Sequence, residues 1–348
     1  MNRNPLILLL LLFVATANGR ETLPPDGIWN IGSAGHIRPH RPSDSIRCQR
    51  IRLDNQIVLV NLYPGFAVVK SEYRFSNPSD SAIRIDLAYP ASGHYPLQGL
   101  GKGIFDDNRG LRVVSNGAGM LTRRVTDSIH GPMDAYDPWI PTASDTWSQT
   151  FAPRSTTTIA VYLIARTHLS RLLQDDKAST GNAFGYITAG SNHWQGHTGA
   201  FQMLVRLNED LYLTDIRGLL PDSAFIGNLT HLQYGLSNGK APRNGNIAIW
   251  YEGAPPDYGF DKKVLPAMDT LFHMMDEFPI AEFDDPSFRP ISKSNFTVAA
   301  TGVTFSAVLY FLMFTLPWLI LVGVIIYLLR GRGGKKREPL SEEEPIDL

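Results

Sequence analysis

The sequence predicts a mainly β protein: an exported antiparallel β-sandwich region with one helix near its end, followed by one C-terminal transmembrane helix. Three observations lead there. Short segments between residues 56 and 252 alternate apolar and polar side chains or run apolar, with turn signals between them. Alternation of period two puts one set of side chains on a core and the other in water. An apolar run opens the chain, and a longer one, residues 305–329, carries no charge. Of the 348 residues 43% are hydrophobic, with 30 Gly and 24 Pro, which excludes a polytopic membrane protein, a coiled coil and a mostly disordered chain. The net charge of −1 offers no basic face for nucleic acid.

Residues 1–19 read as a secretory signal: Arg3, an apolar run from Pro5 to Val14, then the small-residue pattern Ala15-Thr16-Ala17. Residues 303–329 read as a transmembrane helix, with Tyr310, Trp318 and Tyr327 as its amphipathic aromatics and Pro317 as a kink. Arg330, Arg332, Lys335, Lys336 and Arg337 follow and mark the cytoplasmic side. The tail, 330–348, turns acidic and has no apolar periodicity. Both ends predict one topology: a single-pass protein of the plasma (bacterial inner) membrane, N-terminal domain outside, tail in the cytoplasm. The lipid bilayer is one expected partner, and an envelope protein is another. Cys48 is the only cysteine, so no internal disulfide is possible, which leans toward a bacterial envelope.

Between the ends, residues 20–46 read as an extended lead-in, rich in Pro and Gly. A first β domain is expected over 47–168. Gln56–Leu62 is its first strand. Ala67 to Phe75 and Ile83 to Tyr89 alternate cleanly around the turn Asn77-Pro78-Ser79-Asp80, an antiparallel hairpin with Tyr73 and Ile85 buried and Glu72 and Arg84 in water. Gly103–Phe105 and Leu111–Val114 flank a second hairpin turn. Residues 128–153 read as a long packed loop, and Thr156–Ala165 as a central strand. A second β domain is expected over 169–253, with one continuous β domain as the alternative. Leu169, Leu172 and Leu173 suggest helical turns. Ala183–Thr188, Phe201–Leu207, Leu211–Arg217, His231–Leu236 and Asn246–Glu252 read as strands, with Phe201, Met203, Val205 and Leu207 on one face. Over 254–302 a helix is expected at Val264–Phe278, then a tether stiffened by Pro279, Pro286 and Pro290.

The run VVKSEYRFSNPSDSAIRIDLAYP, residues 68–90, resembles the opening hairpin of vault/inter-alpha-trypsin type β-sandwich domains. The chain also resembles a bacterial family of exported, C-terminally membrane-anchored β-sandwich proteins of unknown function, with AFGYITAGSNHWQGHTGAFQMLVRL and NIAIWYEG extending the likeness into its second half. The resemblance implies a β-sandwich and no chemistry. The Asp-x-Ser-x-Ser metal motif that accompanies the inter-alpha-trypsin type is missing from this chain, so that function does not carry over.

Candidate chemistry is sparse. His193 and His197 stand four apart, as zinc ligands on a helix would, but Trp194 occupies the place of a catalytic Glu and Gly190, Gly196 and Gly199 disfavour a helix. They remain weak metal candidates on a loop. Gly235-Leu236-Ser237-Asn238-Gly239 matches a nucleophile elbow, yet Lys240-Ala241-Pro242 cannot form the supporting helix, and Asn238-Gly239 suits a hairpin turn. Asp106-Asp107-Asn108 and Asp284-Asp285 lack calcium-loop spacing, and the glycines at 99, 101 and 103 lack the third position of a dinucleotide loop. Tyr136, Trp139, Trp147 and Phe151 form an aromatic cluster better suited to packing than to a ligand platform. Cys48 lies among Arg47, Arg50 and Arg52, which could lower its thiol pKa, though a chance free thiol is the plainer reading. Asn228 and Asn295 match glycosylation acceptors only in a eukaryotic setting. No catalytic residue, cofactor or firm metal site is expected. The reading is a non-enzymatic binding or assembly module, with an envelope enzyme, metal-dependent or serine hydrolase, as the alternative.

Overall fold

The computed structural model describes residues 26–296 apart from 98–99, 106–107, 127–139, 175–176, 189–192, 196–199, 223, 237–245, 253–258 and 294–295. In chain order its strands are β1 (Gly27–Gly35), β2 (Arg38–Pro39), β3 (Arg52–Tyr63), β4 (Phe66–Asn77), β5 (Ile83–Leu97), β6 (Gly101–Phe105), β7 (Arg109–Ser115), β8 (Ala118–Met120), β9 (Arg123–Thr126) and β10 (Ile140–Phe151). They continue as β11 (Ser155–Arg166), β12 (His168–Gln174), β13 (Lys177–Ile187), β14 (Ala200–Leu207), β15 (Ile216–Leu220), β16 (Phe225–Gly227), β17 (His231–Leu236), β18 (Ile247–Tyr251) and β19 (Arg289–Ile291). Two α-helices accompany them, α1 (Pro42–Cys48) and α2 (Met268–Asp276).

The strands form two mixed sheets. Sheet 1 runs β15-β18-β13-β12-β1-β6-β5-β10-β9, with β2 also on β5, and sheet 2 runs β19-β16-β17-β14-β3-β4-β11-β7-β8. The expected mainly β fold holds, but the sheets are not purely antiparallel: β1 pairs in parallel with β13 and β6, and β14 with β3. Parallel neighbours need long crossover connections, which local patterning does not register.

Alternation builds the layers. In sheet 2, Val58, Val60, Leu62, Tyr73, Phe75, Val161 and Met203 face inward and meet Ile85, Leu87, Phe184, Ile247 and Ile249 of sheet 1 in the central core. The register expected for the first two alternating segments is therefore correct, with Tyr73 and Ile85 fully buried and Glu72 and Arg84 exposed. Their pairing is not. β4 lies in sheet 2 and β5 in sheet 1, so residues 78–82 arch between sheets. β6 and β7 part in the same way. A strand with one wet and one dry face is satisfied equally by a hairpin partner or by a facing sheet, so the pattern could not choose.

Other differences follow from longer-range pairing. The lead-in contains α1 and β1, and β1 is an interior strand of sheet 1. Residues 140–151 form β10, zipped along β5 from His94 to Ile83, where a loop was expected. Residues 168–174 are strand β12 and not helical turns; over so few residues, leucine spacing cannot separate the two periods. Residues 211–215 turn before β15 begins at Ile216. The expected boundary at 168–169 falls just inside β12, after its first residue, and both sheets draw strands from either side of it.

The outer faces are covered too. Ile28, Leu97, Phe105, Leu172, Trp250 and Phe296 form an apolar layer on sheet 1. On sheet 2, Leu59, Phe66, Val68 and Ile164 are covered by Phe260, Val264, Phe272 and Met275. These come from a continuous helical segment, a π turn at Phe260–Val264, a 3-10 turn at Leu265–Ala267 and then α2, close to the helix expected at 264–278. Among the described residues no helix is long and apolar enough to cross a membrane. The expected signal (1–19) and transmembrane helix (303–329) lie outside the described residues.

Candidate functional site

On the outer face of sheet 2, β14, β17 and β16 lie side by side, with Gln202 opposite Gly235, Leu204 opposite Gln233, and Gln233 opposite Ile226. Because Phe201, Met203 and Val205 point into the core, Gln202 must point out. Gly235 leaves a gap between these side chains: a Cβ there would meet nothing within 4 Å. The result is an open cavity of about 380 Å³ lined by Gln202, Gln233, Ile226, Ala224 and Gly235. Two side-chain amides, each able to donate and accept, stand there beside an aliphatic wall.

Nearby, His231 spends both ring nitrogens on structure. Nε2 lies 2.9 Å from Glu282 Oε2 and Nδ1 lies 3.0 Å from Thr230 Oγ1, while the ring meets Phe283 edge-on. Asn228 Oδ1 accepts from the backbone of Thr230 and His231, and its Nδ2 donates to Asp285 Oδ2 at 3.1 Å. Ser287 donates twice to Asp285, and this holds that carboxyl below the usual range. These contacts pin the turn at Ile280–Asp284 and the following residues onto sheet 2.

A second polar group lies deep between the sheets. Tyr73 and Tyr186 donate to the Gly35 carbonyl at 2.7 and 3.1 Å, and the Gly35 amide donates to Tyr89 at 2.9 Å. Gln56 bonds Tyr186. Burial raises all three phenol pKa values. His36, 2% exposed, packs among Tyr73, Tyr186 and Phe201 with neither ring nitrogen hydrogen-bonded, and burial lowers its pKa to about 3. These groups join β1, β3, β4, β5 and β13, and their role is to register one sheet on the other.

The residues singled out in the sequence fare unevenly. His193 is half-buried beside Trp194, whose ring packs on Phe75 and whose Nε1 donates to Ile37 O at 3.3 Å. His197, Asn295, Ser237, Gly239, Asp106, Asp107, Tyr136 and Trp139 lie outside the described residues. Among the described residues no three His, Cys, Asp or Glu side chains converge as a metal site would need. Trp147 and Phe151 are core residues of β10. Asn108 is buried and donates to Pro90 O at 2.8 Å. The reactive reading of Cys48 is overturned: it is fully buried, and burial, with Asp44 second, pushes its thiol up to about 12. Gln202 and Gln233 escaped notice because each occupies an ordinary wet position of an alternating strand.

No protein family matches the chain, and no curated protein matches it in sequence. Solved structures overlap it weakly. A Legionella pneumophila protein, named as a candidate nutrient binding protein, overlaps 66% of this chain and 73% of its own length, at 13% identity and a TM-score of 0.45. An M1 zinc metallopeptidase of Deinococcus radiodurans overlaps 58% of this chain and 43% of its own, at 8% identity and 0.30. Yeast LTA4 hydrolase overlaps 70% and 33%, at 6% identity and 0.33. The chain spans less than half the length of either enzyme. With overlap this low, none of the three carries an argument about fold or chemistry here.

Proposed function

We propose that the protein is a single-pass, membrane-anchored envelope protein whose exported β-sandwich binds or assembles with an envelope protein and performs no chemistry. The cavity over Gly235 carries this reading. Paired amides beside an aliphatic wall are suited to recognising polypeptide, which presents amide donors and acceptors next to apolar side chains. The anchor rests on the apolar run 305–329 and the basic cluster that follows it.

Two measurements test the reading. Protease added to cells with a permeabilised outer envelope is expected to digest the chain before about residue 300 and spare the 330–348 tail. Tail cleavage with the sandwich protected would overturn the topology. A photo-cross-linking residue at Gln233 is expected to capture one discrete envelope protein in native membranes, and Gly235→Trp, which fills the cavity, is expected to abolish that adduct. Stoichiometric zinc in the purified protein, lost on replacing His193 and His197, would instead favour the metal-dependent enzyme.

A further inference from the structure

Among the described residues, half of the exposed large apolar side chains lie at one end of the sandwich. β3 finishes there at Tyr63 and β4 starts at Phe66; β14 and β11 finish beside them, and β17 begins there. Asn208 N donates to Leu62 O, Thr167 N to Gly65 O, and Leu213 N to Leu229 O. Asn30 Nδ2 reaches Leu169 O in the bulge of β12, and the His231–Glu282 pair brings the Ile280 turn alongside. At this end stand Leu169 (50% exposed), Tyr212 (38%), Leu229 (56%) and Ile280 (47%).

The last described residue, Phe296, also lies close to this end. Leu219 N donates to Lys293 O at 2.9 Å, and Phe296 then lies over Gly218, where any Cβ would come within 2.5 Å of the Phe296 ring. The Phe296 ring thus lies two residues along β15 from Ile216. Ile216 is opposite Tyr251, whose hydroxyl donates to Tyr63 O at 2.9 Å. From Phe296 to residue 303 there are about seven residue steps, at most about 25 Å even fully extended.

We propose that this end of the sandwich is a bilayer-contacting face, with Leu169, Tyr212, Leu229 and Ile280 seated in the lipid interface; this rests on reading 303–329 as a membrane span. The short link allows no distant standoff. Tyrosine, with an apolar ring and a polar tip, suits the headgroup boundary, and aliphatic side chains gain by leaving water. Charges of both signs stand at this end, Arg166 and Arg206 against Glu209, Asp210, Asp215 and Glu282, so the contact does not require anionic lipid.

The test uses the full chain reconstituted in phosphatidylcholine vesicles carrying a headgroup-level quencher. Cys48 is wholly buried, so an environment-sensitive thiol dye reports an introduced cysteine alone. Dye on Leu229→Cys, and separately on Leu169→Cys, is expected to lose most of its fluorescence to the quencher. Dye on Ile46→Cys, in α1 beside the start of β3 at the opposite end, is expected to keep it. Retention in the vesicles through an alkaline wash reports the anchor separately. Protein washed out would overturn the anchored reading and this proposal together. Protein retained but quenched no more at 229 and 169 than at 46 would overturn the bilayer face alone and leave that end to a protein partner.

Discussion

His36 is a neutral histidine by necessity. Its ring lies among Tyr73, Tyr186 and Phe201 with no acid to pair it, and its pKa falls to about 3. Unfolded, it would titrate near about 6.5. Between those values the unfolded chain binds a proton that the folded chain refuses, so stability falls with falling pH at up to about 1.4 kcal/mol per unit. Above about 6.5 neither state holds the proton and the effect vanishes. Replacing His36 with Phe is expected to flatten this slope in urea unfolding of the solubilised protein between pH 6 and pH 4. An unchanged slope would show that other groups dominate acid unfolding. Nothing around His36 in the chain marks it, because its burial is made by strands up to 165 residues away, as with Phe201.

At the scale of elements, the helical segment is held on sheet 2 by apolar burial with a polar clasp. Phe272 and Met275 are buried, while Lys70 and the Tyr162 hydroxyl both donate to Asp276 Oδ1, at 2.9 and 2.6 Å. Burial alone would push the Asp276 carboxyl up, but these two donors outweigh it and hold the carboxyl low. The Arg112–Asp269 pair adds an exposed contact. Phe272→Ala is expected to cost about 3–5 kcal/mol, whereas Asp269→Asn should stay within about 1 kcal/mol. Comparable losses in chemical denaturation would mean that charge, not packing, docks the helix. The stripe of Leu265, Met268, Leu271, Phe272 and Met275 was legible as a helix because its period is local. That it covers Leu59, Phe66 and Ile164 was not.

For the whole molecule, both sheets interleave the two halves of the chain. β12 and β13 from the second half both pair with β1 from the first, and β14 pairs with β3. The described residues, all between 26 and 296, belong to one compact unit. The β region is therefore expected to melt in one cooperative transition, and residues 47–168 expressed alone are expected to lack dispersed amide resonances. Two resolved transitions, or a folded 47–168 fragment, would instead support a two-domain organisation.

The sequence by itself determined which residues alternate, which face of β4, β5 and β14 is dry, where the late helix lies, and the strong apolar and basic signals near the C-terminus. These are local properties, set by periodicity and composition over about ten residues. Only the tertiary structure decided that β4 and β5 part into opposite sheets, that the Pro-rich lead-in contributes the interior strand β1, and that residues 140–151 zip onto β5. It alone placed Gln202, Gln233 and Gly235 around one cavity. The physical reason is shared: a half-wet strand specifies which side must be buried but not what buries it, and backbone hydrogen bonds are indifferent to sequence separation. Partner choice is settled by how all nineteen described strands pack at once.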